Sequence, residues 1–185
     1  AQLGWFETIS EDDVRRQFEI NLFGAMNVAR AVLPTMRRRR SGLVVTISSV
    51  NGLVSNQGGS VYSASKFALE GWMEGLAEEI APLGIRSLVV EPGMMRTNFL
   101  DPSTARQGNV EIADYAEAVE GFRRFIAQAN GAQQNDPEDL AALIVAEASA
   151  TDPARRLLFG ADAHEWAGAK CRQLAADIEA SSARA

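Results

Sequence analysis

Cysteine and histidine each occur once, as Cys171 and His164, and tyrosine and lysine twice each. A single cysteine excludes an internal disulfide and fits a reducing compartment, so a cytoplasmic protein is expected. One histidine leaves a Ser-His-Asp hydrolase a single possible base, and His164, close to Trp166, reads as a surface or packed residue. Metal sites need several ligands at set spacing; none is visible, and no metal is expected. No apolar run approaches the roughly eighteen residues that span a membrane, and no signal-peptide pattern opens the chain, so no membrane partner is expected. Cations are outnumbered: 18 Lys and Arg stand against 24 Asp and Glu, a net charge of −6, which argues against nucleic acid as a partner. The run Arg37-Arg38-Arg39-Arg40 reads as a solvated complement to a helix C-terminal dipole. With no repeat or low-complexity linker, 185 residues make one domain.

What is present is an alternation of helical and strand patterns. Ser10 followed by three acids reads as a helix start, and apolar residues from Val14 to Leu33 recur at helical spacing. Pro34 is expected to kink or break this helix, which resumes to Arg40 and ends at Ser41-Gly42. Leu43 to Ser48 is a short β-branched run of the kind buried on both faces of a sheet. A glycine-containing loop leads to a helix over 61–81, and Ile85 to Glu91 is a second buried-type strand stopped by Pro92-Gly93. Residues 94–136 are less regular, with a helix between Asp114 and Ala129. A helix over 138–150, a third strand over 156–160, a helix over 163–179 and a frayed tail at 181–185 follow. Strands alternating with helices imply an α/β protein with a partial doubly wound parallel sheet of about three strands.

The most informative stretch is Tyr62-Ser63-Ala64-Ser65-Lys66, with Ser48-Ser49 at the preceding strand end. On a helix, positions four apart share a face. An ammonium beside a phenol stabilises the phenolate and lowers a pKa that starts at about 10, giving a proton donor or acceptor for an alcohol or carbonyl oxygen. The pair alone also fits a plain helix-face hydrogen bond or cation–π contact. Ligands of open α/β sheets bind beyond the carboxyl ends of the strands. Ser48-Ser49, Pro92-Gly93 and the Tyr62–Lys66 helix all meet that edge.

Four pieces, Asn21-Leu22-Phe23-Gly24, LVVTISS, YSASKFALEG and EPGMMRT, stand in an order and at spacings that resemble the short-chain dehydrogenase/reductase family. The resemblance covers nearly the whole chain and is strongest from Asn21 to Thr97. It implies a Rossmann-like fold and hydride transfer between NAD or NADP and a carbonyl/alcohol substrate. It makes Tyr62 the general acid/base and Lys66 the residue that lowers its pKa and holds the nicotinamide ribose. Ser49 would orient the substrate carbonyl. Asn21 would interrupt the helix and hold a water that relays protons to Lys66. Pro92 and Gly93 would let backbone approach the nicotinamide, and Met95 and Thr97 would hold its carboxamide. Met94, Phe99, Leu100 and the helix after Asp114 would cover an apolar substrate. A homodimer or homotetramer through helices 11–40 and 61–81 is also implied.

The sequence departs from that family at its start. None of its fifteen glycines forms a G-x-G-x-x-G turn, and no strand is expected before residue 10. The chain therefore reads as the catalytic portion of a longer enzyme, a single incomplete domain over 1–185, inactive alone, with LVVTIS exposed as an apolar edge. A non-catalytic interaction module is the alternative. A hydrolase using Ser49 is weaker still, because no nucleophile elbow is present.

Overall fold

The computed structural model describes residues 1–151 and 153–184. Ser10 begins the first helix as its sequence requires: its hydroxyl accepts the Asp13 N–H at 3.2 Å, and α1 runs over Glu11–Phe18. The helical ladder then widens into a π turn over Glu19–Phe23 before α2, Gly24–Arg39, resumes α geometry. Pro34 lies inside α2, which runs on through it, so of the expected kink or break the break does not occur. One lost N–H is tolerated because Ala29, Leu33 and Met36 anchor this helix in a packed interior. Arg40 takes a left-handed conformation with φ 51°, so the helix stops before Ser41 and Gly42 rather than at them.

Among the described residues five strands form two parallel sheets. β1 is Gln2–Leu3, β2 Gly42–Ile47, β3 Ile85–Pro92, β4 Arg106–Gln107 and β5 Arg156–Phe159. The larger sheet has the order β2-β3-β5, with Val45 opposite Leu88 and Val90 opposite Leu157. The smaller pairs β1 with β4 and corrects the expectation that no strand precedes residue 10; two residues are too few to carry a pattern. The other helices are α3 (Ser60–Ile80), α4 (Ala116–Ala129), α5 (Pro137–Ser149) and α6 (Ala161–Ser182). α6 runs two residues into the tail expected to fray, of which Ala185 lies outside the described residues.

α2 and α3 cover one face of the larger sheet, where Ala29, Met73, Leu76 and Ile80 pack on Ile85 and Val89. α5 covers the other, with Leu140 against Leu88 and Val90. Helices on both faces of a parallel sheet make the doubly wound α/β class. β3 is the doubly buried strand its sequence announces. β2 has the same composition but stands at the edge, so Val45 stays 36% and Ile47 49% exposed. The run LVVTIS is thus open on one face rather than buried on both, as expected of an apolar edge. A groove of about 490 Å³ runs between α2 and β2.

Candidate active site

β2 delivers Ser48 and Ser49 to the carboxyl edge of the sheet. The Ser48 N–H still reaches the Val90 carbonyl at 2.7 Å, so the serine pair stays tied to β3. The Ser49 hydroxyl accepts the Asn51 N–H at 3.1 Å and turns the chain away from the sheet. α3 then begins at Ser60, placing Tyr62 in its first turn and Lys66 one turn later.

The Lys66 ammonium donates to the Ile47 carbonyl at 2.9 Å and lies 5.9 Å from the centre of the Tyr62 ring. Burial pushes its pKa down to about 8, against an opposing pull from Glu70. Burial likewise pushes the Tyr62 phenol above its ordinary value, and the Ser49 hydroxyl offsets part of that rise. The Lys66 ammonium turns to the strand-end carbonyl and sits over the Tyr62 ring.

Asn21 sits in the π turn, where helical bonding is interrupted as the resemblance implied. Its amide donates to the Ser65 hydroxyl at 3.0 Å, and Ser65 donates to the Tyr62 carbonyl at 2.7 Å. Asn21 is therefore bonded to the helix that carries Tyr62 and not directly to Lys66.

Pro92 closes β3, and the Gly93 N–H bonds the Phe159 carbonyl at 2.8 Å. A Cβ at Gly93 would stand 2.3 Å from Asp162 Oδ1, so glycine here lets the Asp162 carboxylate keep its place. The other oxygen of Asp162 accepts the Met94 N–H at 2.6 Å. Asn135 Nδ2 donates to the Met94 carbonyl at 3.0 Å and to Asp162 Oδ1 at 2.9 Å. The Asn135 carbonyl in turn accepts the Arg96 N–H at 2.8 Å. Asp162 and Asn135 thus clamp the loop that carries Met95 and Thr97. Sequence reasoning passed over both; the signal was an acid in the first turn of a helix entered through Gly160 (φ 101°).

Asn21, Ser49, Tyr62, Lys66, Pro92, Gly93, Met95 and Thr97 all line one cavity of about 940 Å³. Its opposite wall is apolar: Phe99 stands edge-on to the Tyr62 ring at 5.2 Å, with Leu100, Phe122 and Ile126 beyond. Gln133 also lines it, 6% exposed, with both polar atoms of its side chain unpartnered. His164 is exposed, 2.9 Å from the Gly160 carbonyl and away from the cavity lining, so no imidazole serves Ser49 among the described residues.

Behind the cavity lies a charge cluster. Arg156 on β5 bonds Glu70 of α3 at 3.0 Å and also pairs with the fully buried Glu91 of β3. Burial raises the Glu70 carboxyl above its ordinary value, while Ser48, Arg156 and Lys66 each favour its charged form. The Ser48 hydroxyl faces Glu70 without closing a full hydrogen bond.

A parallel sheet wrapped on both faces by helices, with serine, tyrosine and lysine gathered at its carboxyl edge, is the architecture of the short-chain dehydrogenases. The chain belongs to that family: the family model described as short chain dehydrogenase matches residues 1–108. An oxidoreductase of Botryotinia fuckeliana is 34% identical over 173 residues, covering 94% of this chain and 62% of the relative. A crystal structure of a short-chain dehydrogenase from Streptomyces avermitilis shares 39% identity with a TM-score of 0.81, over 96% of this chain and 64% of that one. One from Burkholderia cenocepacia in complex with NADP shares 25% identity with a TM-score of 0.57, over 95% and 60% of the two chains. The chain thus spans less than two thirds of the length of each of these relatives.

Proposed function

We propose that the protein containing this chain transfers a hydride between NAD or NADP and the carbonyl/alcohol pair of a small apolar substrate. The observation that carries this reading is the shared cavity, which brings together eight residues spread from Asn21 to Thr97 beneath an apolar wall. The residues fit the nicotinamide end of such a cofactor. Lys66 lines the cavity with three donor protons and one protein acceptor, which leaves two donors for a bound group. The NADP held by the Burkholderia cenocepacia relative supports the same assignment. Among the described residues no G-x-G-x-x-G turn offers a cradle for the pyrophosphate.

When bound, the cofactor supplies or accepts the hydride. Tyr62 gives or takes the proton at the substrate oxygen. Its raised pKa keeps the phenol protonated at neutral pH, which suits it to donate to a carbonyl oxygen during reduction. Ser49 orients that oxygen and stabilises its developing charge. Lys66 holds the ribose, and Asn21, through Ser65, fixes the first turn of α3. Pro92 and Gly93 admit the nicotinamide, while Met95 and Thr97 hold its carboxamide. Phe99, Leu100 and α4, within the covering segment 94–136 of a single catalytic unit, exclude water from the substrate.

Reduced-nicotinamide fluorescence, followed during titration of this chain and of a version extended at its N-terminus, tests the reading. Binding by the extended version is expected; no binding by either sinks it. A second reading, a non-catalytic interaction module, draws on Phe23, Val28 and Phe67, exposed on the α2 and α3 side. The same residues support a homodimer or homotetramer through helices 11–40 and 61–81. No helix among the described residues is long and apolar enough to cross a membrane. The exposed free thiol of Cys171 is consistent with a cytoplasmic location.

A further inference from the structure

Gln133 is a polar group of the cavity that the proposed chemistry leaves unused and that no protein atom satisfies. It lies between α4 and α5, two residues ahead of Asn135, whose backbone bridges Met95 and accepts the Arg96 N–H. The side chain is 6% exposed and lines the cavity, yet neither its Oε1 nor its Nε2 has a partner. An amide buried without partners loses its hydration and gains nothing in return, so native structures satisfy such groups with protein, water or ligand. Phe122, Ile126, Pro137 and Leu140, which line the same cavity, carry no side-chain polar atom to replace that hydration.

An amide presents one acceptor and two donor hydrogens, all neutral. Its complement is a neutral group that both donates and accepts. A charged group fits poorly, because a charge buried beside a neutral amide without a paired counter-ion loses its hydration uncompensated.

We infer that Gln133 is a ligand-binding residue whose amide pairs with a neutral donor–acceptor group, a carboxamide or a hydroxyl, on a molecule bound in the cavity. This rests on the hydride-transfer reading and extends it. Two sources present that chemistry: the carboxamide of the nicotinamide, because Gln133 stands beside the Met95 loop, and a hydroxyl on the substrate remote from its reacting carbon.

The test uses Gln133→Met, close to glutamine in shape and apolar, in the full-length protein. One arm measures by fluorescence the Kd of NADH and NADPH and of the reduced 3-acetylpyridine analogue, whose acetyl group accepts but cannot donate. The other compares KM for 1-decanol and 1,10-decanediol. Thermal midpoints accompany both. The expected result is a midpoint equal to or above wild type with a loss of about tenfold in one arm. Weaker reduced nicotinamide with an unchanged analogue assigns the carboxamide. A collapsed preference for the diol assigns the substrate hydroxyl. Wild-type behaviour in both arms overturns the inference alone. A wild-type protein that binds no reduced nicotinamide overturns the function reading and this inference together. Should Gln133→Met fail to fold, Gln133→Leu, also apolar and of similar volume, is read the same way.

Discussion

The Asp162 carboxylate accepts the Met94 backbone N–H at 2.6 Å, joining two residues 68 positions apart. Its partner oxygen stands where a Gly93 side chain would begin, so one group both holds the loop and forbids bulk beside it. Asp162→Ala is expected to weaken reduced-nicotinamide binding about tenfold, in line with roughly 1.5–3 kcal/mol for a hydrogen bond to a charged group. Asp162→Asn keeps an acceptor and restores part of the affinity. Gly93→Ala alone is expected to lose binding and thermal stability, and Gly93→Ala with Asp162→Ala to lose less than the two singles added. Strict additivity in fluorescence titrations would refute the clamp.

Tyr62→Phe keeps the ring against Phe99 and removes only the hydroxyl. Turnover in the full-length enzyme should fall by roughly 10²–10⁴-fold, the range for a positioned acid or base. Cofactor affinity should change by less than a factor of about three, the ring being intact. Steady-state kinetics beside a fluorescence titration separate the two effects, and full turnover would remove Tyr62 from the acid/base role.

Lys66 carries a pH signature. Its folded pKa is about 8 against an ordinary 10.5, so between these values the unfolded chain binds more protons than the folded one. The penalty for burying the ammonium is fully present below pH 8 and is relieved as pH rises toward 10.5, a gain on the order of 3 kcal/mol. Urea midpoints at neutral and alkaline pH should show this rise in wild type and its absence in Lys66→Met.

Arg156 is shared by two carboxylates, one of them fully buried. Arg156→Met strands both, and a loss of about 3–5 kcal/mol is expected at neutral pH. Because burial already raises the Glu70 pKa, the folded state takes up protons more readily than the unfolded state as pH falls. The deficit should therefore shrink toward pH 5 in chemical denaturation, and a deficit independent of pH would count against the cluster.

The open edge of β2 is a site for unwanted pairing. Sedimentation of the isolated chain should show concentration-dependent association, reduced by Val45→Lys, which places a charge at a position 36% exposed. A monodisperse wild type would contradict this.

Much of this arrangement could be read from the chain because it is encoded locally. Ser10 with its following acids marks a helix start, LVVTIS and IRSLVVE mark strands, and Tyr62 and Lys66 are one helical turn apart. Pro34 does not end α2 because its local penalty is outweighed by packing at Ala29 and Leu33. Helical spacing places Lys66 and Tyr62 on one face without saying that the ammonium finds the Ile47 carbonyl. Asp162, Asn135 and Gln133 were hidden because their partners lie far along the chain or are absent from it. The one charge in the apolar run IRSLVVE beyond Arg86, Glu91, was a visible sign that a buried partner existed.

The widened turn at Glu19–Phe23 gives the long helical segment two phases. Upstream of it, Gln17 accepts the Gln2 N–H at 2.7 Å and reaches Ser65; downstream, Ala29 enters the packed interior. Each α-helical residue advances the spiral by about 100°, so excising one residue from this turn would bring both halves into step and rotate α1 off its contacts. A single-codon deletion here would thus detach the amino-terminal strand and misplace Asn21 in one stroke.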